Sequence, residues 1–93
     1  TAFYILFCLQ EPQHGYGIGQ EVKEMTKGEV SISPGTMYGT LSKMEKDGLI
    51  NFVSEAEKRK IYEITELGRE ILAIEMNRIK RIYINSIGDE YNG

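Results

Sequence analysis

A chain of 93 residues is one domain's worth of sequence, and 41% hydrophobic with 27% charged residues is a globular composition, neither disordered nor fibrous. One cysteine and one histidine, Cys8 and His14, exclude an internal disulfide and a Cys/His zinc site, and fit a reducing cytoplasm. A net charge of −3 argues against a general polyanion binder, although it leaves room for a small basic footprint.

The first helix is expected over Thr1 to Gln10. Ala2, Ile5, Leu6 and Leu9 recur at helical spacing, and Glu11-Pro12 stops them. Apolar runs such as Ile5 to Leu9 fall far short of the ~20 residues a membrane span needs. Because the chain starts at Thr1 rather than Met, a trimmed N-terminus is expected. A second helix runs from Gly15 to about Lys27, with Ile18, Val22 and Met25 as its core residues and Gly28 as its stop. Gly17 and Gly19 each cost it about 1 kcal/mol against alanine, so its first turn is expected to fray. Glu29 to Ile32 reads as an extended connector. Ser33 then caps a third helix, Pro34 suits its first position, Gly48 ends it, and Met37, Leu41 and Met44 form its buried stripe. Leu49 to Ser54 reads as a strand, Glu55 to Lys60 as a charged turn, and Ile61 to Ile64 as the partner strand. A last, long helix starts after Thr65 and runs to about Ile87, before Gly88. The fold class is therefore mainly α with a small β-hairpin: a winged helix-turn-helix over residues 1–65, and a C-terminal dimerisation helix and tail over 66–93.

With Met37, Leu41 and Met44 turned inward, the third helix faces outward with Gly35, Thr36, Gly39, Ser42, Lys43 and Lys46. That face carries no acid. Glycine on an exposed helix face is costly for folding, and close approach to another surface is one reason to keep it. A helix lying in a DNA major groove needs such a slim face, with short polar side chains and lysines for base edges and phosphates. The bland alternative is a solvated helix face with incidental glycines. Lys58-Arg59-Lys60 is the densest positive run and suits a wing touching backbone phosphates. Glu55 and Glu57 just before it allow a mixed, solvated turn instead. Gly15-Tyr16-Gly17-Ile18-Gly19 is no dinucleotide loop, because Gln20 stands where a glycine is needed and a helix precedes it. His14 has no partner nucleophile or orienting acid, so His14 and Tyr16 are expected to shape the start of the second helix, with phosphate contact as the other reading. Cys8 reads as core, not as a reactive thiol.

On the last helix Leu67, Ile71, Leu72, Ile74, Met76, Ile79, Ile82, Tyr83 and Ile87 cover an arc of roughly 220°. Packing on one domain uses only about half of that. The simplest second partner is another copy of the chain, with Ile71, Leu72, Ile79, Ile82 and Tyr83 at the interface. The alternative is a helix folded back over its own domain. Glu75 and Arg78 interrupt the arc and can pair within one helix or across subunits.

His14-Gly15-Tyr16-Gly17-Ile18, Ser33-Pro34-Gly35-Thr36-Met37-Tyr38, Leu41 to Met44, Asp47-Gly48-Leu49-Ile50, Lys60-Ile61-Tyr62 and Ile64-Thr65-Glu66-Leu67-Gly68, in order and with fitting spacings, resemble the PadR family of bacterial transcriptional regulators. The resemblance spans Phe3 to about Leu72. It implies a winged-helix homodimer binding promoter palindromes, usually as a repressor, and often responsive to small molecules, with an effector pocket expected at the dimer interface near Phe3, Phe7, Met76, Ile79 and Tyr83. The third helix would be the recognition helix, with Ser33, Gly35, Thr36, Tyr38, Gly39, Ser42 and Lys43 facing DNA. Lys58, Arg59 and Lys60 would form the wing, and Tyr16 would contact phosphate beside His14. The short tail resembles the subfamily with a single C-terminal helix. Some of its members hold flat ligands between tryptophans, which this chain lacks, so that ligand mode is not carried over.

The expectation is a cytoplasmic, sequence-specific regulator of double-stranded DNA, acting as a homodimeric repressor on a palindromic operator, with a small hydrophobic effector as its release signal. The alternative is a winged-helix module for protein contacts without DNA binding. No paired nucleophile and base, metal cluster or cofactor loop supports an enzyme, and neither a cofactor nor a membrane is expected.

Overall fold

In the computed structural model, which describes residues 1–92 with side chains through residue 87, α1 covers Ala2–Cys8, β1 Gln13–His14, α2 Gly15–Met25, α3 Pro34–Lys46, β2 Ile50–Ala56, β3 Arg59–Ile64 and α4 Glu66–Asn92. The order is that of a winged helix-turn-helix continued by one long helix, as the sequence predicts.

The punctuation of α3 acts as its residue types require. The Ser33 hydroxyl accepts from the Thr36 N–H at 3.3 Å, with Pro34 at the first position. At the other end Gly48 takes φ +79°, which lets the Leu49 N–H reach back to the Met44 carbonyl at 2.9 Å. The Ser33 cap is worth about 1 kcal/mol. Met37, Leu41 and Met44 are buried, against a core that includes Ile5 and Leu9 of the α1 segment, Ile18 and Val22 of α2, and Ile50 of β2. Each such side chain contributes about 1.5–3 kcal/mol.

The second helix differs from expectation at both ends. Its glycine-rich first turn is capped, because His14 Nδ1 accepts from the Gly17 N–H at 3.0 Å. Met25 is not core: it is 44% exposed, and its sulfur lies 4.0 Å from Cys8 Sγ at the C-terminal edge of the α1–α2 packing.

β1, β3 and β2 form an antiparallel sheet in that order. β1 has no sequence signature, since two residues are too few to show a period of two. It pairs Gln13 with Tyr62 and His14 with Ile61. The hairpin is longer than expected, because Glu55, Ala56, Arg59 and Lys60 belong to the strands. The turn is Glu57-Lys58 alone, with φ of +52° and +66°. Two left-handed residues match the twist of a two-residue hairpin turn, although neither is the usual Asn or Gly. Val53 is an extra residue on β2: Phe52 pairs with Tyr62 and Ser54 with Ile61, so the ladder bulges between them.

Thr65 joins the wing to α4. Its hydroxyl donates to the Gly48 carbonyl at 2.6 Å and accepts from the Gly68 N–H at 3.0 Å. Gly68 lies so close to the Leu49 carbonyl and Ile64 that a β-carbon there would collide with both. This contact seats α4 on the α3–β2 junction and carries Leu72 into the core, where it is 3% exposed. Leu72 is therefore a core residue of its own protomer, which corrects its expected place at an interface. α4 also runs through Gly88 to Asn92 instead of ending near Ile87. Glycine inside a helix costs about 1 kcal/mol but does not forbid it. The last position of the expected tail, Gly93, lies outside the described residues. The projecting helix makes the chain long, 54 × 29 × 19 Å, with a radius of gyration of 15.3 Å. A compact chain of this length would have about 12 Å.

Candidate nucleic-acid interface

Burial of Met37, Leu41 and Met44 fixes the rotation of α3, and leaves Ser33, Gly35, Thr36, Tyr38, Gly39, Ser42, Lys43 and Lys46 exposed. Around Gly35 and Gly39 nothing lies within 4 Å of where a β-carbon would stand, so neither glycine is required by internal packing. Lys43 and Lys46 occupy the last turn of α3, where cations also complement the helix dipole. Among the described residues the only ion pair is Glu75 with Arg78, at 2.8 Å within α4. The lysines of α3 and of the wing therefore have no carboxylate partner among the described residues.

The start of α2 meets the wing. The Arg59 guanidinium carbon lies 4.9 Å from the centre of the Tyr16 ring, and the His14 and Tyr16 ring centres are 6.4 Å apart, tilted by 35°. Tyr16 stays 59% exposed. Lys58 in the turn and Lys60 on β3 are also exposed. One residue and one contact of this assembly escape sequence reasoning. Gln13 donates through Nε2 to the Cys8 carbonyl at 3.0 Å and to the Glu21 carboxylate at 2.7 Å, tying β1 to α1 and α2. The stacking of Arg59 on Tyr16 has no local signal either, because the two residues sit on different elements. Between α2 and α3 runs a cleft of about 240 Å³ lined by Tyr16, Gln20, Lys23, Pro34, Met37 and Tyr38.

The chemistry is that of recognition. Burial, with a smaller contribution from Glu21, pushes the Cys8 thiol up to about 12, which makes it a core group and not a nucleophile at neutral pH. Burial likewise raises the Tyr62 phenol, and Glu45 and Tyr38 add to the effect. Among the described residues no group of His, Cys, Asp and Glu could hold a metal ion, and no helix is long and apolar enough to cross a membrane.

Along α4, Ile71, Ile74, Met76, Ile79, Ile82, Tyr83 and Ile84 remain exposed. Phe3, Met76, Ile79, Lys80 and Tyr83 surround an open, apolar concavity of about 360 Å³. Phe7 is not part of its lining, contrary to expectation. It packs against the core with its ring stacked 6.3 Å from that of Phe3.

Residues 5–74 match the family model described as the transcriptional regulator PadR-like family. An uncharacterised protein from Lysinibacillus sphaericus is 35% identical over 69 residues, which is 70% of this chain; the chain spans 63% of that relative's length. A PadR family transcription regulator from Clostridium difficile superposes with a TM-score of 0.73 at 28% identity, covering the whole of both chains. Bacillus subtilis PadR, solved in complex with operator DNA, gives a TM-score of 0.72 at 25% identity, over 81% of this chain and 45% of that one. Proteins of this kind are transcriptional regulators, not enzymes. With a winged helix-turn-helix, an exposed α3 and a family match over most of its length, the chain belongs to the PadR-like family of transcriptional regulators.

Proposed function

We propose that the chain is a sequence-specific regulator of double-stranded DNA that acts in the cytoplasm as a homodimer on a palindromic operator. The observation that carries this reading is the outward face of α3. It is a slim surface of glycines, hydroxyls and lysines, free of carboxylate partners among the described residues, beside a wing with exposed Lys58 and Lys60. Operator DNA bound by the Bacillus subtilis relative supports it. In this reading Thr36, Ser42 and Lys43 address base edges, Ser33, Tyr38 and Tyr16 flank them near phosphates, and Gly35 and Gly39 allow close approach. His14 acts by holding the first turn of α2.

The exposed apolar face of α4 supports self-association through Ile71, Ile79, Ile82 and Tyr83. Two recognition helices spaced ~34–36 Å apart then read successive major-groove faces. A dimer so placed excludes other proteins from that stretch of promoter, so repression by occlusion is the mode. The concavity at Phe3, Met76, Ile79 and Tyr83 lies on the same stretch of α4, where a small hydrophobic effector would alter the spacing of the two heads.

The test compares wild type with Lys43→Glu on duplex DNA from upstream of the chain's own gene, by footprinting. Two protected patches one helical turn apart, lost in the variant, are expected. One unbroken patch or an unaffected variant would overturn the assignment of α3, and no protection at all would favour a module for protein contacts.

A further inference from the structure

We infer that Arg59 is a positioning residue: it clamps the wing onto the Tyr16 ring, and leaves phosphate contact to Lys58, Lys60 and the exposed part of Tyr16. The inference rests on the DNA-reading role proposed above and divides labour among the three wing cations.

Three features carry it. Arg59 is the one wing cation seated on an aromatic face among the described residues, 4.9 Å from the Tyr16 ring centre. A guanidinium is planar, delocalised and more weakly hydrated than an ammonium, so of the three cations it gains most from a ring and loses least on leaving water. Second, the ring it covers lies beside a neighbour that belongs to the same sheet. His14 pairs with Ile61, two residues along β3 from Arg59, caps α2 through the Gly17 N–H, and places its imidazole 6.4 Å from Tyr16. Third, β1 is itself anchored, since Gln13 pairs with Tyr62 and bonds the Cys8 carbonyl and the Glu21 carboxylate. The wing's remaining freedom lies toward its Glu57-Lys58 turn, and Arg59 is the residue that closes that end against α2. Lys58, in the turn, and Lys60, opposite Glu55 on β2, stay exposed without an aromatic partner among the described residues.

The two roles for Arg59 predict different salt dependence. A cation that neutralises a phosphate contributes to the slope of log K against log salt, by about one phosphate per protomer and roughly two per dimer. A cation spent on a ring does not. Fluorescence anisotropy on upstream duplex DNA across a salt series should therefore show Lys58→Ala with a shallower slope. Arg59→Ala should keep the wild-type slope and bind about fivefold to thirtyfold more weakly at every salt concentration, the loss of one exposed cation–π contact in each protomer. In a Tyr16→Leu background, Arg59→Ala should cost nothing further. A readout independent of DNA is the proton spectrum of the free protein. The Arg59 Cδ protons should be shifted upfield by the ring in wild type and in Tyr16→Phe, and not in Tyr16→Leu.

A slope lowered by Arg59→Ala as much as by Lys58→Ala would overturn the inference. So would an undiminished Arg59→Ala penalty in the Tyr16→Leu background, or Arg59 protons at their ordinary positions in wild type. Failure of the wild type to bind any duplex overturns the DNA reading itself, and with it the role given to Lys58 and Lys60; the proton shifts alone then decide whether the clamp exists.

Discussion

Gly39→Ala separates what α3 needs for folding from what it needs for recognition. Gly39 lies in the interior of α3, is exposed, and has nothing within 4 Å of a built β-carbon. An added methyl therefore meets no atom of the protein, and alanine is about 1 kcal/mol better than glycine at an exposed helix interior. For a domain of this size that gain corresponds to a rise in Tm of about 4–8 °C. DNA binding should change in the opposite sense. If Gly39 is tolerated because α3 approaches a groove wall closely, a methyl at each of two half-sites costs about 1 kcal/mol or more per site, about 2 kcal/mol per dimer, and roughly thirtyfold or more in Kd. The assay pairs thermal melting at fixed protomer concentration, since a dimer's Tm depends on concentration, with anisotropy on the operator. A variant that melts higher and binds as well as wild type would refute the argument that function keeps this glycine. One that melts lower would refute the open space around it.

Gly68→Ala should do the reverse of Gly39→Ala. Its β-carbon would run into the Leu49 carbonyl and Ile64, so the helix-propensity gain is overwhelmed and stability falls by about 2 kcal/mol or more in urea titration; a more stable variant would contradict the seating of α4. Ile79→Glu, on the exposed strip, should leave a folded monomer in sedimentation, whereas Leu72→Ala should lower the melting temperature by opening a core cavity worth about 2–5 kcal/mol. A monomeric wild type would contradict the proposed dimer. Cys8 should resist iodoacetamide at pH 8 in the native state and react in denaturant. Because the native thiol titrates near 12 and the unfolded one near its ordinary 9.0, the unfolded state loses its proton first, so stability declines as pH rises from about 9 toward 12. Cys8→Ala should remove that part of the decline, and rapid native alkylation would contradict the burial.

Legibility in the sequence followed how local each determinant is. α3 announces itself, because Ser33, Pro34 and Gly48 are chemically suited to their positions and three apolar residues share one face. That face also fixes the exposed set opposite it, so the outward surface of α3 was readable. The wing turn was not, since Glu57-Lys58 adopts a conformation that Asn-Gly would signal and these residues do not. β1 is set by its pairing with β3 and by the Gln13 side chain, neither of which leaves a pattern in two residues. Periodicity placed Leu72 on the apolar arc of α4 but could not say which partner covers it, and the Gly68 contact assigns it to its own core. The union of Arg59 with Tyr16 depends on tertiary structure alone.

The central claim, that this chain reads a particular DNA sequence, is tested most directly by anisotropy of the purified protein on labelled DNA from upstream of its own gene. Random DNA of equal length serves as competitor, at two salt concentrations. The account predicts tight binding that survives the competitor and weakens as salt rises. Binding that the random competitor abolishes, or no binding even at low salt, would contradict it.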